Sequence, residues 1–170
     1  IMANTTFTGP VRSENGFKSI NKSSTTGAVT EISTYGGAPV ALSDGDVTLT
    51  NATHSGRVLI VPDGGQDNTY TLPSPVAGAN FVFVYGGAAA DATDFIVDAG
   101  DDANYFIGNV AFNDTDDGAA SVVFADGNSN SKLQVNVPGS AVVNIVAKDD
   151  TNWYVWGSVT GATAPAFSDQ

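Results

Sequence analysis

Leu133-Gln134-Val135-Asn136-Val137 alternates apolar and polar side chains over five consecutive residues. Successive side chains of an extended chain point to opposite faces, so a period of two marks a strand with one buried face. The same reading extends outward along the chain. Val47–Thr50 alternates apolar residues with threonine, and Ser121–Ala125, Ala141–Ala147 and Trp153–Val159 are further short β-type runs. Arg57–Val61 and Phe81–Tyr85 are nearly continuous apolar runs, which predicts strands buried on both faces. Asp44-Gly45, Asp63-Gly64-Gly65, Asp117-Gly118 and Asp126-Gly127 separate these runs. Glycine supplies positive φ at such turns, and aspartate bonds the backbone just beyond itself. Val76–Ala79 and Ala88–Ala90 offer a single helical turn each.

Composition agrees with the pattern. Val, Thr, Ala, Gly, Asn and Asp are abundant, while the long helix-favouring side chains are scarce. With 170 residues the chain fits one domain that buries most of its unfolded surface. The predicted fold is all-β: a single compact antiparallel sandwich or barrel, jelly-roll-like, with an extended N-terminal arm. Residues 1–26 form the arm, 27–160 the β-domain, and the small-residue segment 161–170 a C-terminal tail.

Charge divides the chain unevenly. Residues 1–22 carry Arg12, Lys18 and Lys22 against Glu14, a net of +2. The remainder carries Arg57, Lys132 and Lys148 against 17 acidic residues, a net of −14, which gives −12 for the whole. Such an acidic body is repelled by phosphate, so neither nucleic acid nor an anionic membrane is an expected partner. No run approaches the roughly 18 apolar residues of a membrane-spanning helix. The N-terminus lacks the basic and apolar blocks of a secretory signal. Without cysteine there are neither disulfides nor thiolate zinc sites.

No catalytic constellation emerges. His54, the only histidine, has Ser55 beside it but lies in a polar turn without a nucleophile elbow. Asp98–Asp102 and Asn113–Gly118 are acidic enough to suggest calcium. In the second, Thr115 occupies a ligand position and Phe124 stands where an EF-hand needs glutamate, so solvated turn aspartates are the preferred account. Nothing singles out a carboxylate pair for glycoside hydrolysis, and the Gly-Gly pairs match no phosphate-binding pattern. No catalytic residue, metal ligand or cofactor is therefore assigned.

Two groups of residues point to binding instead. Alternation in Trp153-Tyr154-Val155-Trp156 sends Trp153 and Val155 to one face, Tyr154 and Trp156 to the other. Tyr154 and Trp156 are thus the candidate subunit or glycan interface. In the arm, Phe7, Pro10, Arg12, Phe17 and Lys18 supply the aromatic and basic anchors that carry energy at interfaces.

Met2–Phe17 (Met-Ala-Asn-Thr-Thr-Phe-Thr-Gly-Pro-Val-Arg-Ser-Glu-Asn-Gly-Phe) resembles the start of small virion proteins of tailed bacteriophages, particularly marine ones. Thr71–Pro73 leading into Ala77–Val84, and the closing Asp149–Gly157, are similar to patterns in phage head proteins. The family implied is that of head decoration, or cement, proteins. The resemblance implies a compact β-domain on the outer capsid surface, often a trimer at local threefold positions. It also implies an arm that bridges major capsid protein subunits. The expected function is non-enzymatic stabilisation of the shell, with the major capsid protein and other copies of itself as partners. Alternatives are a head-fibre or tail component, a carbohydrate-binding adhesive module using Trp156, and a hydrolase.

Overall fold

A computed structural model of the chain describes Gly9 and residues 13–87 and 93–169. The described chain opens with a hairpin, β1 (Phe17–Lys22) and β2 (Val29–Tyr35). Next come β3 (Val40–Ala41), β4 (Val47–Thr48), a helical turn α1 (Asn51–His54), β5 (Arg57–Val61), β6 (Asn68–Thr71), β7 (Asn80–Tyr85) and β8 (Phe95–Asp98). The second half holds β9 (Tyr105–Asp114), β10 (Ala120–Asp126), β11 (Lys132–Val135), β12 (Pro138–Ala147), β13 (Asn152–Gly161) and β14 (Ala166–Ser168). Apart from the hairpin, the strands form two sheets. One has seven strands in the order β10-β9-β13-β12-β7-β5-β3, the other five in the order β14-β11-β8-β6-β4.

The chain is all-β, as its alternation predicts, and the two sheets pack as a sandwich. The pairing is mixed rather than antiparallel throughout. From β3 to β8 the chain passes from one sheet to the other at every strand, and each circuit lies parallel on the one before. Val40 lies beside Leu59 and Leu59 beside Phe83 in one sheet; Val47 lies beside Tyr70 and Tyr70 beside Val97 in the other. Parallel neighbours require a crossover connection. Here the strand in the opposite sheet is that crossover, so the ladders form without long helices. From β9 on, the ladders are antiparallel except for β13 beside β9.

Aspartates stitch the corners of this three-rung coil. Asp46 Oδ1 accepts the Thr69 N–H at 2.8 Å, and Asp67 Oδ1 accepts the Asp94 N–H at 2.8 Å. Asp44 accepts from the Gly65 N–H and the Asn68 side chain, both at 3.1 Å. Turn aspartates therefore hold one circuit to the next.

The core lies between the sheets. Leu59, Phe81, Phe83, Val143, Ile145, Trp153 and Val155 face inward from the larger sheet, and Tyr70, Phe95, Val97, Leu133 and Val135 from the smaller. Tyr70 and Phe83 bridge the two with ring centroids 6.2 Å apart, while Phe81 meets Trp153 edge-on at 5.8 Å. Burial pushes the Tyr70 phenol up to about 12. Two glycines let the centre of the larger sheet close. A Cβ on Gly108 would lie 2.0 Å from the Val155 carbonyl oxygen, and one on Gly157 would lie 2.2 Å from that of Val142.

Leu133 and Val135 are buried as their alternation predicts, but the strand ends at Val135. Val137 turns out of it at φ +35°. Asp94 holds the corner, accepting from Gln134 Nε2 at 2.7 Å and from the Val137 N–H at 2.9 Å.

Several expected boundaries and segments look different in three dimensions. Phe17–Lys22, inside the expected arm, is a strand because β2 supplies its hydrogen-bonding partner. The 26/27 boundary thus falls in the hairpin turn, where the Gly27 N–H donates to the Ser23 carbonyl at 3.0 Å. The expected tail, 161–170, contains β14, whose Phe167 packs on Phe106 at 6.2 Å. Val76–Ala79 closes a single turn, Ala79 N–H to Val76 carbonyl at 2.9 Å. Ala88–Ala90 lie outside the described residues.

Candidate functional site

Seven adjacent strands expose one broad face to solvent, and their registers fix its pattern. One row across the sheet runs Val58, Val82, Asn144, Trp156, Asn109 and Phe124. A parallel row runs Ile60, Val84, Val142, Ser158, Ala111 and Val122. A third runs Asn80, Val146, Tyr154, Ile107 and Asp126. Asp126, at the rim, is the only charged side chain in the three rows, although the chain carries −12. Hydrogen bonds from the Asn128 N–H and the Ser129 hydroxyl hold its carboxyl below the usual range, so it stays ionised.

An antiparallel sheet that faces water on one side ordinarily alternates apolar-in with polar-out. Here the outward positions are valine, isoleucine, tryptophan, tyrosine and asparagine. The runs Arg57–Val61 and Phe81–Tyr85, expected to be buried on both faces, are buried on the core side and partly open on the other. Val58, Val142, Tyr154 and Trp156 all rank among the exposed large hydrophobics. Beside Trp156 (48% exposed) lies a depression of about 220 Å³, lined on the same face by Asn80, Val82, Asn144 and Val146.

The hairpin borders this face. Its base is fastened by a buried polar cluster: Ser33 Oγ and Ser55 Oγ lie 2.7 Å apart, and the Asn80 N–H donates to Ser55 Oγ at 2.9 Å. The Thr34 N–H donates to the Ser55 carbonyl at 2.8 Å. Gly56, at φ +80°, permits this approach, since a Cβ there would lie 2.6 Å from the Thr34 carbonyl oxygen. Asn80 Nδ2 also donates to the Tyr35 hydroxyl at 3.2 Å. Tyr35 is the cross-strand partner of Phe17, and Asn80 heads the row that contains Tyr154. A continuous path of neighbours thus leads from Phe17 through Tyr35, Asn80 and Val146 to Tyr154.

Of the residues singled out in the sequence, Tyr154 and Trp156 lie outward on β13 while Trp153 and Val155 are buried. Phe17 is exposed on β1. Lys18 makes an ion pair with Glu31 at 2.7 Å. At the surface such a pair contributes little, about 0–1 kcal/mol. Phe7, Pro10 and Arg12 lie outside the described residues. The valines at 58, 82, 84, 142 and 146 were not singled out. Their signal was present in the sequence as a lack of charge at alternate positions on neighbouring strands.

The other chemistry resolves into structural roles. Ser55 is fully buried and turned toward Ser33, so it forms no pair with His54. His54 Nδ1 instead accepts the Thr50 N–H at 2.9 Å, and burial lowers the imidazole pKa, with Arg57 adding to the effect. Asp98, Asp101, Asp114 and Asp117 each accept a backbone N–H two residues on, from Gly100, Ala103, Asp116 and Ala119. No group of three or more metal-ligating side chains is found among the described residues. No helix among them is long and apolar enough to cross a membrane.

No protein-family model, curated protein or solved structure matches this chain.

Proposed function

We propose that this chain is a non-enzymatic structural protein of a tailed-phage virion, one that fastens to the outer surface of the assembled head. The observation that carries the reading is the broad, almost uncharged outer face of the seven-stranded sheet, continuous with the hairpin that follows the N-terminal segment. Contiguous exposed apolar surface of this kind marks an interaction site. Its partner in this reading is the major capsid protein, reached by the sheet face and by the segment containing Phe7, Pro10 and Arg12. The acidic remainder of the surface faces solvent.

Binding only to the assembled shell would add its free energy to the assembled state. Three copies gathered at a local threefold position, as the resemblance implies, would raise the effective concentration of each contact. Removal of residues 2–12 tests the segment without touching β1, whereas removal through residue 22 would also strip β2 of its partner. Tyr154→Lys with Trp156→Lys tests the face. Each variant is expected to stay folded and to decorate empty shells at less than a tenth of normal occupancy in co-sedimentation. Normal occupancy with both variants would sink the proposal. A head-fibre or tail location would instead appear as density elsewhere on the virion by electron microscopy.

A second reading has its own supporting observation. Trp156 stands between Asn144 and Asn109 in one row, beside the depression, as an aromatic platform flanked by amides does in sugar sites. Glycan-array binding that disappears with Trp156→Ala would favour this adhesive role.

A further inference from the structure

Among the described residues, four strands form the edges of the two large sheets: β3 and β10 in one, β4 and β14 in the other. An edge strand offers unpaired backbone groups to any passing strand, and proteins commonly blunt it by shortness, charge, proline or a bulge. Three of these edges are short, with β3 and β4 two residues long and β14 three. The fourth, β10, has seven. Ala120–Ala125 contains no charge and no proline, and its register with β9 is unbroken from Ala120 opposite Asn113 to Asp126 opposite Ile107. Val122 and Phe124 point outward from it at 59% and 73% exposure, the two most exposed large hydrophobics among the described residues.

We infer that β10 is where two copies of this chain meet, pairing antiparallel about a twofold axis and continuing the sheet from one molecule into the next. The strand is complementary to itself. With the axis at Val123, Val122 lies opposite Phe124 of the second copy, and Phe124 opposite its Val122. Aromatic and β-branched side chains are favourable cross-strand partners. Ser121 then faces Ala125, and Ala120 faces Asp126. The two Asp126 carboxylates stand six residues apart along the ladder, about 20 Å at strand rise. That is roughly twice the screening length at physiological salt. Each molecule is strongly acidic, and Ala120–Ala125 is a six-residue stretch without an acid, bounded by Asp117 on one side and Asp126 on the other.

The other edge of the sheet decides how the contact ends. Head-to-tail growth would need a second long edge, and β3 is only two residues long. The contact therefore closes as an isologous pair rather than extending into a fibre. This inference does not depend on the capsid reading.

Sedimentation of the full chain, compared with the double variant Val122→Lys/Phe124→Lys, tests it. Both side chains are exposed, so the variant should keep the melting temperature that the native chain shows at concentrations too low for pairing. The native chain is expected to have twice the mass of the variant. Raising salt should strengthen the pairing by screening the acidic bodies. Hydrogen exchange on the native chain needs no variant: within residues 120–126, the amides that do not already donate to β9 should slow as protein concentration rises. Equal masses for the two proteins, or exchange at 120–126 independent of concentration, would overturn the inference. So would a pair that persists in the double variant but dissociates with Trp156→Lys, since that outcome assigns the contact to the sheet face.

Discussion

The larger sheet has two apolar faces, and the described residues cover only one. On the inner face Phe81, Phe83, Ile145, Trp153 and Val155 are packed against the second sheet. On the outer face Val82, Val142, Tyr154 and Trp156 follow the same alternation with nothing among the described residues stacked over them. Trp153 and Trp156 sit three residues apart on one strand, one fully buried and the other half open. Apolar side chains on a strand therefore report that a surface seeks cover, without reporting whether its own chain provides it.

The largest effect is expected where the strands are kept from meeting at all. Gly108→Ala places a methyl group against the Val155 carbonyl at a backbone φ of +131°, which side chains rarely adopt. It should separate β9 from β13 and yield no soluble folded protein on expression. If the variant folds with a native melting curve, the close approach is not required.

Next in size is the inner face itself. Trp153→Ala should cost about 3–5 kcal/mol in urea unfolding, as large-to-small changes in a packed core do. The Trp153 indole N–H has no acceptor among the described residues, so Trp153→Phe removes an unpaired buried donor along with some volume. Its cost should be less than half that of Trp153→Ala. On the outer face, Trp156→Ala should change stability by no more than about 0.5 kcal/mol, the usual range for surface positions. A loss comparable to Trp153→Ala would show that the outer face, too, holds the fold together.

A smaller effect tests the junction between hairpin and body. The folded-state pKa of His54 lies below 6.5, because burial disfavours the imidazolium. The unfolded chain then binds more protons as pH falls below about 6.5, so stability is full above that value and declines toward the folded pKa. Below both values the curve flattens. His54→Asn should abolish this part of the pH dependence in thermal melts between pH 7 and pH 5. An unchanged slope would mean that another group is responsible.

The sequence made the strands legible where alternation involved large side chains, as in Leu133–Val135 and Trp153–Trp156. The coil was not legible, because parallel stacking of Val40, Leu59 and Phe83 is fixed by long-range pairing rather than by local pattern. Phe17–Lys22 has Phe17 and Ile20 three residues apart, out of step with a strand's alternation, and becomes a strand only because Val29–Tyr35 folds back beside it. The three residues of β14 hold one large side chain, Phe167, whose role appears only when Phe106 is brought to it. In the candidate site, the aromatic pair on β13 was evident from local alternation. The valines around it belong to several strands, and only the register joins them into a surface.

The position of β13 has a consequence for timing. It lies between β9 and β12, with Trp153 beside both Phe106 and Ala147, yet only β14 follows it among the described strands. On the ribosome, the β9–β10 hairpin therefore remains disconnected from the β12-β7-β5-β3 block until residues 152–161 emerge. Long-range pairing of this kind is slow to form. A nascent chain therefore has no complete outer face until β13 is in place.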